Sequence, residues 1–231
     1  MRFQIFAVAA TLVLAACATV EDIPLASSTG AGPKPGDAIG FSGSASEVIT
    51  TMQPANAAFG AIGGLMALQA GKAIVSENQI ADPAGPLARQ MAAELAQSRS
   101  ARLADVAIPA GDKAAVAQAQ QAYSHVVFVD TLYWGFVYFA TDWAHYNVLY
   151  TARLRLFDNA ENENVALKTC SWESEKAGRV RYTRSELLAN NAQQLKAELA
   201  KAADTCADEF RGVLGLPQPT QVTQSSSDII H

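Results

Sequence analysis

Cationic side chains are scarce. Lys and Arg total 17 against 22 Asp and Glu in 231 residues, the formal charge is −5, and no stretch gathers a basic face. Nucleic-acid binding relies on dense Lys/Arg to neutralise phosphates, so that class is set aside. There are three histidines, and His231 lies at the extreme C-terminus. Asp130, Asp142, His125 and His145 flank one aromatic stretch, but their spacing matches no compact ligand set, and His125 and Asp130 have opposite strand parity. They are read as hydrogen-bonded structural residues, with no metal, catalytic group or cofactor expected. Gly71-Lys72 is followed by Ala73, so there is no phosphate-binding loop, and Gly60 to Gly64 does not give the dinucleotide-binding glycine pattern. Gly40-Phe41-Ser42-Gly43 lacks the spacing of a nucleophile elbow. The chain is expected not to be an enzyme. Past the N-terminus, no apolar run approaches the roughly 20 residues that span a bilayer.

The most specific segment is the N-terminus. Arg2 gives a short positive region, Phe3 to Leu14 an apolar core, and small residues follow. This is the tripartite pattern of a secretory signal. The tetrad Leu14-Ala15-Ala16-Cys17 resembles the lipobox of bacterial lipoprotein precursors. The resemblance implies cleavage after residue 16 and acylation of Cys17, and therefore a membrane partner bound through the N-terminal lipid. Two or more acyl chains hold a protein stably at a bilayer. Ala18, rather than Asp, follows the cysteine, which in such lipoproteins implies the outer membrane, facing the periplasm. The alternative is an ordinary signal peptide with Cys17 as a plain thiol.

With Cys17 assigned to lipid, Cys170 and Cys206 form an even pair in an oxidising compartment. They are expected to be disulfide-bonded, closing a loop of about 36 residues worth roughly 3–4 kcal/mol. Two buried free thiols are the alternative.

Residues 17–40, rich in Ala, Ser, Gly and Pro, read as a flexible tether, 41–216 as one α+β domain and 217–231 as a disordered tail. Within the domain, 54–75 reads as a glycine-rich helix. Gly60 and Gly64 allow close approach of another backbone, so the segment is a core or interface helix, a self-associating or membrane-inserting element, or a glycine-rich loop. A second helix begins at Asp82-Pro83, carries Leu87, Met91 and Leu95 on one stripe, and is expected to run to about Asp105. A short surface helix is expected over 114–122.

Strands are predicted over Val126–Leu132, Tyr146–Phe157 and Val165–Trp172, the last two forming a hairpin. Thr183 and Glu186 make a capping box for a long C-terminal helix with Leu188, Leu195, Leu199, Ala202, Cys206, Phe210 and Val213 inward. Tyr133 to Tyr150 concentrates eight aromatic residues, read either as core or as a partner- or lipid-facing surface at Trp134, Phe136 and Trp143. Arg153 and Arg155 share a strand face, read as solvated or paired to a partner's carboxylates.

These elements predict an antiparallel sheet packed by helices on one face, with a long C-terminal helix. From about 80 to 214, that order resembles small envelope-lipoprotein domains of the curli-secretion and TolB-amino-terminal type. The glycine-rich helix resembles those of uncharacterised bacterial lipoproteins. The resemblance rests on element order and carries no function across. The chain is read as a non-enzymatic interaction or envelope-assembly module with an envelope protein partner or a second copy of itself. The alternatives are an oligomerising or membrane-active lipoprotein using 54–75 and, third, a periplasmic enzyme.

Overall fold

A computed structural model describes residues 21–25, 32–44, 49–57, 59–110 and 113–219. Its centre is a seven-stranded sheet: β1 (Ala38–Ser44), β2 (Thr50–Met52), β3 (Arg102–Leu103), β4 (His125–Phe139), β5 (Asp142–Asp158), β6 (Glu163–Glu173) and β7 (Tyr182–Thr183). The helices are α1 (Pro54–Ala57), α2 (Gly60–Asn78), α3 (Ala84–Arg99), α4 (Lys113–Gln120), α5 (Ser174–Gly178) and α6 (Arg184–Leu214).

The sheet is mixed, which corrects the antiparallel expectation. Its main path runs β3-β1-β4-β5-β6; β2 joins β4, and β7 joins β5. The β4–β5–β6 meander is antiparallel, but β1 and β2 both pair parallel to β4, and β3 pairs parallel to β1. The strands that change the class carry weak sequence signals. β1 reads Ala-Ile-Gly-Phe-Ser-Gly-Ser, and its glycines serve close approach rather than a turn. A Cβ on Gly43 would lie 2.3 Å from the Cα of Gly85 in α3, and one on Gly40 would lie 2.7 Å from the ring of Tyr123. Pressing a helix that close to a strand excludes side chains and removes the β-branched residues by which strands are recognised.

β4 continues well past the predicted Leu132 and turns through Ala140-Thr141 into β5. A bulge at Leu132 makes this long hairpin possible. Thr131 pairs with Ala152 and Tyr133 with Thr151, leaving Leu132 without a partner across the ladder. The extra residue reverses the alternation of β4, so Val127 and Val129 face the core before it and Trp134 and Phe136 after it. All of these meet a β5 whose inward residues keep one parity from Tyr146 to Leu156.

Helices α3 and α6 cover one face. Leu87, Met91 and Leu95 of α3, with Leu195, Leu199 and Phe210 of α6, close the main core over Val129, Leu154 and Leu156. A small second cluster on the opposite face joins Ile108, Val126 and Phe128. Helix α3 ends at Arg99, earlier than expected, because Ser100 takes a left-handed conformation and the chain turns into β3. At its start, Asp82 Oδ1 accepts from the Ala84 amide at 2.8 Å, the bond an N-cap side chain makes. The capping box at Thr183 and Glu186 is formed. The long C-terminal helix is interrupted at 189–192, where Asn190, Asn191 and Ala192 have positive φ. That break shifts the inward stripe, so Leu187 is fully buried and Leu188 only partly.

Cys170 on β6 and Cys206 on α6 are joined by a disulfide between fully buried positions, fastening helix to sheet.

The stretch read as a tether is partly bound. Ile23 forms an antiparallel bridge with Leu167 through two backbone hydrogen bonds of 2.8 and 2.9 Å. Asp22 holds Lys168 at 2.7 Å, and Leu25 is buried. This ion pair raises the Lys168 pKa, chiefly through the Asp22 hydrogen bond. Cys17 lies outside the described residues, as does most of the tail.

Candidate functional site

Helix α2 is built inside out. Its buried stripe is Gly63, Ala67, Gly71 and Ile74, at the spacing of one helical face. Its large apolar side chains point away: Phe59 just before it is 63% exposed, Ile62 67%, Leu65 64%, Met66 49% and Leu68 42%. Ordinarily the larger apolar residues of a helix are buried and the small ones tolerated outside.

The cause is the approach of β2. A Cβ on Gly71 would lie 1.7 Å from the carbonyl oxygen of Ile49, so no side chain fits there. Four residues earlier, Thr51 Oγ1 donates to the Ala67 carbonyl at 3.2 Å. Helix and strand therefore touch almost backbone to backbone, and the stripe between them must be small. The same closeness recurs across the sheet, where a Cβ on Gly135 would lie 2.2 Å from Thr50 O.

The glycines singled out in the sequence behave differently. Gly60 and Gly64 have open space where a Cβ would stand, and Gly60 has φ +56° at the start of the helix. The close approach thus falls on Gly71, which differs from Gly64 in what lies opposite it. Gly64 lies on nearly the same side of the helix as Gly71, about two turns nearer its start, where nothing packs against it.

The aromatic stretch divides. Trp134 and Phe136 are 1% and 0% exposed and belong to the core, with the Phe136 ring edge-on to Tyr146 at 5.5 Å. They are closed to a partner. Trp143 is 66% exposed beside the β4–β5 turn, where its indole Nε1 donates to Ala140 O at 3.0 Å. Around it Arg181 stacks on Phe139 at 4.1 Å and bonds Glu175 at 2.6 Å. His145 pairs with Asp142 at 2.7 Å, and that hydrogen bond holds the Asp142 carboxyl below the usual carboxylate range.

The acid–base candidates do not form one site: His145 and Asp142 pair with each other beside the β4–β5 turn, away from His125 and Asp130. His125 is buried against Asp158 at 3.3 Å and hydrogen-bonds Ser124 at 3.1 Å, at the opposite end of β4 from His145. Asp130 receives two hydrogen bonds from Arg155, which also lies over Phe128. Among the described residues no three His, Cys, Asp or Glu side chains gather as a metal site. Two groups of buried polar side chains elsewhere bond among themselves. Glu198 accepts from Tyr182 at 2.8 Å and from Lys201 at 2.6 Å, and burial, aided by Glu198, pushes the Tyr182 phenol up to about 12. Thr131 donates to Asp82 at 2.6 Å and lies 3.3 Å from the Tyr150 phenol, whose pKa burial raises further still.

Two grooves accompany this architecture. One of about 520 Å³ lies between the α2–α3 connection and α6, lined by Ile80, Pro83, Leu87 and Leu199 among others. The other, about 910 Å³, lies between β1, α3 and 105–110, under exposed Val106. Both are open and mostly apolar, and neither contains one of the histidines. Among the described residues no helix is long and apolar enough to cross a membrane.

No family model and no curated protein matches the chain. Solved structures align with the chain at low similarity. A Xanthomonas campestris protein of the DUF330 family is 13% identical over 79% of this chain and 86% of its own, with a TM-score of 0.36. The PelC dodecamer from Paraburkholderia phytofirmans is 13% identical over 74% and 90%, at 0.30. Lipoprotein GNA1162 from Neisseria meningitidis is 10% identical over 74% and 96%, at 0.28. Likeness at this level carries no argument about function.

Proposed function

We propose that this protein is a lipid-anchored lipoprotein of the bacterial outer membrane, facing the periplasm and acting as a non-enzymatic interaction or assembly module of the envelope. The observation that carries the interaction role is α2, which turns its Phe, Ile, Leu and Met side chains to the outside while packing small residues inside. Contiguous exposed apolar surface on a folded domain marks a place where something binds. The anchor is supported by Leu14-Ala15-Ala16-Cys17, and the Cys170–Cys206 disulfide suits an oxidising compartment. The non-catalytic reading is supported by the separate engagement of the candidates: His125 by Asp158, Asp130 by Arg155, and the His145–Asp142 pair beside Arg181.

Two experiments test this reading. Cys17→Ser is expected to block lipoprotein maturation or release the protein from membranes; normal processing with full membrane retention would refute the anchor. Crosslinking in cells through photoreactive residues at positions 62 and 65 is expected to capture lipid, an envelope protein or a second copy, and labelling no greater than at Lys72 would refute the interaction role.

A further inference from the structure

The geometry points to the lipid bilayer itself as the occupant of the α2 face: the helix lies on the membrane surface through Phe59, Ile62, Leu65, Met66 and Leu68. The inference rests on the lipid-anchor reading for its source of membrane, and on two placements in the fold.

The first placement is that of α2. β2 runs parallel to β4, with Thr50 opposite Gly135 and Met52 opposite Val137, so its end points toward the β4–β5 turn. Helix α2 then runs back along β2, since Ala67 meets Thr51 and Gly71 meets Ile49. Its N-terminal half, which carries the exposed Phe59, Ile62 and Leu65, therefore sits at the turn end of the sheet, where Trp143 is also exposed.

The second placement is that of the chain leading to Cys17. Ile23 pairs antiparallel with Leu167, and Asp22 bonds Lys168, so the chain followed backwards from Ile23 heads toward Glu173. Glu173 lies at the level of Leu149, which pairs with Gly135, which pairs with Thr50. Residues 17 and 23 are six apart, a reach of at most about 20 Å. The sulfur expected to carry acyl chains is thus tied within that distance of the sheet, and the chain points toward the end that bears α2.

Composition separates a bilayer from a protein partner. From Val48 to Gly71 the sequence has no charged residue, so the exposed face offers no charge pattern by which to select one protein over another. It offers instead a band of large apolar side chains about 14 Å long along the helix axis. That suits insertion to the depth of the headgroup boundary rather than a span.

The test uses the lipidated full-length protein, in which Ile62→Cys, Leu65→Cys or Lys72→Cys supplies the one free thiol, because Cys170 and Cys206 are bonded to each other. Each variant carries a nitroxide and is reconstituted in vesicles of phosphatidylethanolamine and phosphatidylglycerol. Labels at 62 and 65 are expected to be relaxed severalfold more by oxygen than by a water-soluble nickel chelate, with the order reversed at 72. Stronger relaxation by the chelate at both 62 and 65 overturns the proposal. So does spin–spin broadening between copies without oxygen access, which would place a second copy on the face through open Gly60 and Gly64. The mass of the N-terminal peptide reports the anchor separately. If Cys17 carries no lipid it takes label as well, so the chain without a cysteine at 62, 65 or 72 is the control. Signals from 62 and 65 that enter added vesicles beyond that control mean that the anchor reading fails and the helix proposal stands.

Discussion

Gly64 and Gly71 are seven residues apart in one helix, and Gly→Ala is expected to have opposite signs at the two positions. In a helix interior Ala is favoured over Gly by about 0.5–1 kcal/mol, because Gly loses more backbone freedom on folding. At Gly64 a Cβ meets nothing within 4 Å, so Gly64→Ala should stabilise the protein by that amount. At Gly71 the same atom would stand 1.7 Å from Ile49 O and 2.8 Å from Ile49 C. Contact distances for such atoms are above 3 Å, so helix and strand must separate by more than 1 Å. The obstacle is backbone held by pairing of β2 with β4, so no flexible side chain can swing away. Overpacking of this kind costs about 1–3 kcal/mol, and it must also cancel the propensity gain. The expected change in melting temperature is an increase of about 1–4 °C for Gly64→Ala and, for the net cost of about 0.5–2 kcal/mol, a decrease of about 1–8 °C for Gly71→Ala. Thermal and urea unfolding of the disulfide-intact protein measure both, and amide exchange along α2 reports whether the helix loosens before the body does. A neutral or stabilising Gly71→Ala with unchanged exchange in α2 would refute the backbone-to-backbone packing of α2 on β2, and with it the account of why the large side chains face outward.

Two more outcomes follow from the core. Reducing Cys170–Cys206, or replacing both with Ser, should lower unfolding free energy by roughly 3–4 kcal/mol, read as a lower urea midpoint. Arg211 reaches Glu94 through two hydrogen bonds of 2.8 Å and Asp208 through one of 2.6 Å, joining α6 to α3. The Arg211 hydrogen bonds hold the Glu94 pKa below the ordinary value of about 4.3. Because the folded value is the lower one, this contribution is present above about pH 4.3 and is lost as pH falls through the folded value. Glu94→Gln should therefore reduce the loss of stability between pH 5 and 3, measured by urea unfolding across that range, and an unchanged pH slope would count against the pair.

The elements legible in the sequence were those with one buried face and one wet face. β5 alternates cleanly, α3 and α6 carry apolar stripes, and the Thr183–Glu186 box marks a start. The two distant cysteines could be paired by arithmetic once Cys17 was assigned elsewhere. β1, β2 and β3 were not legible, because the first is thinned by glycine where α3 and the Tyr123 ring press on it and the other two are only three and two residues long. Without them the parallel half of the sheet could not be foreseen. The bulge at Leu132 hid β4 in the same way: a reversal of alternation reads as the end of a strand, when in the fold it keeps Trp134 and Phe136 over the core.

For the candidate site the division is sharper. The sequence by itself determined that 54–71 is uncharged, apolar and glycine-rich, that Leu14-Ala15-Ala16-Cys17 resembles a lipobox, and that the acid–base residues have no ligand spacing. Only tertiary structure decided which side of α2 faces out. The outcome depends on the Ile49 carbonyl standing where Gly71 would otherwise have a side chain. Local composition does not contain the distance between two backbones. That distance selected the small stripe for the inside and left Phe59, Ile62, Leu65 and Met66 exposed at the end of the sheet toward which the chain before Ile23 heads.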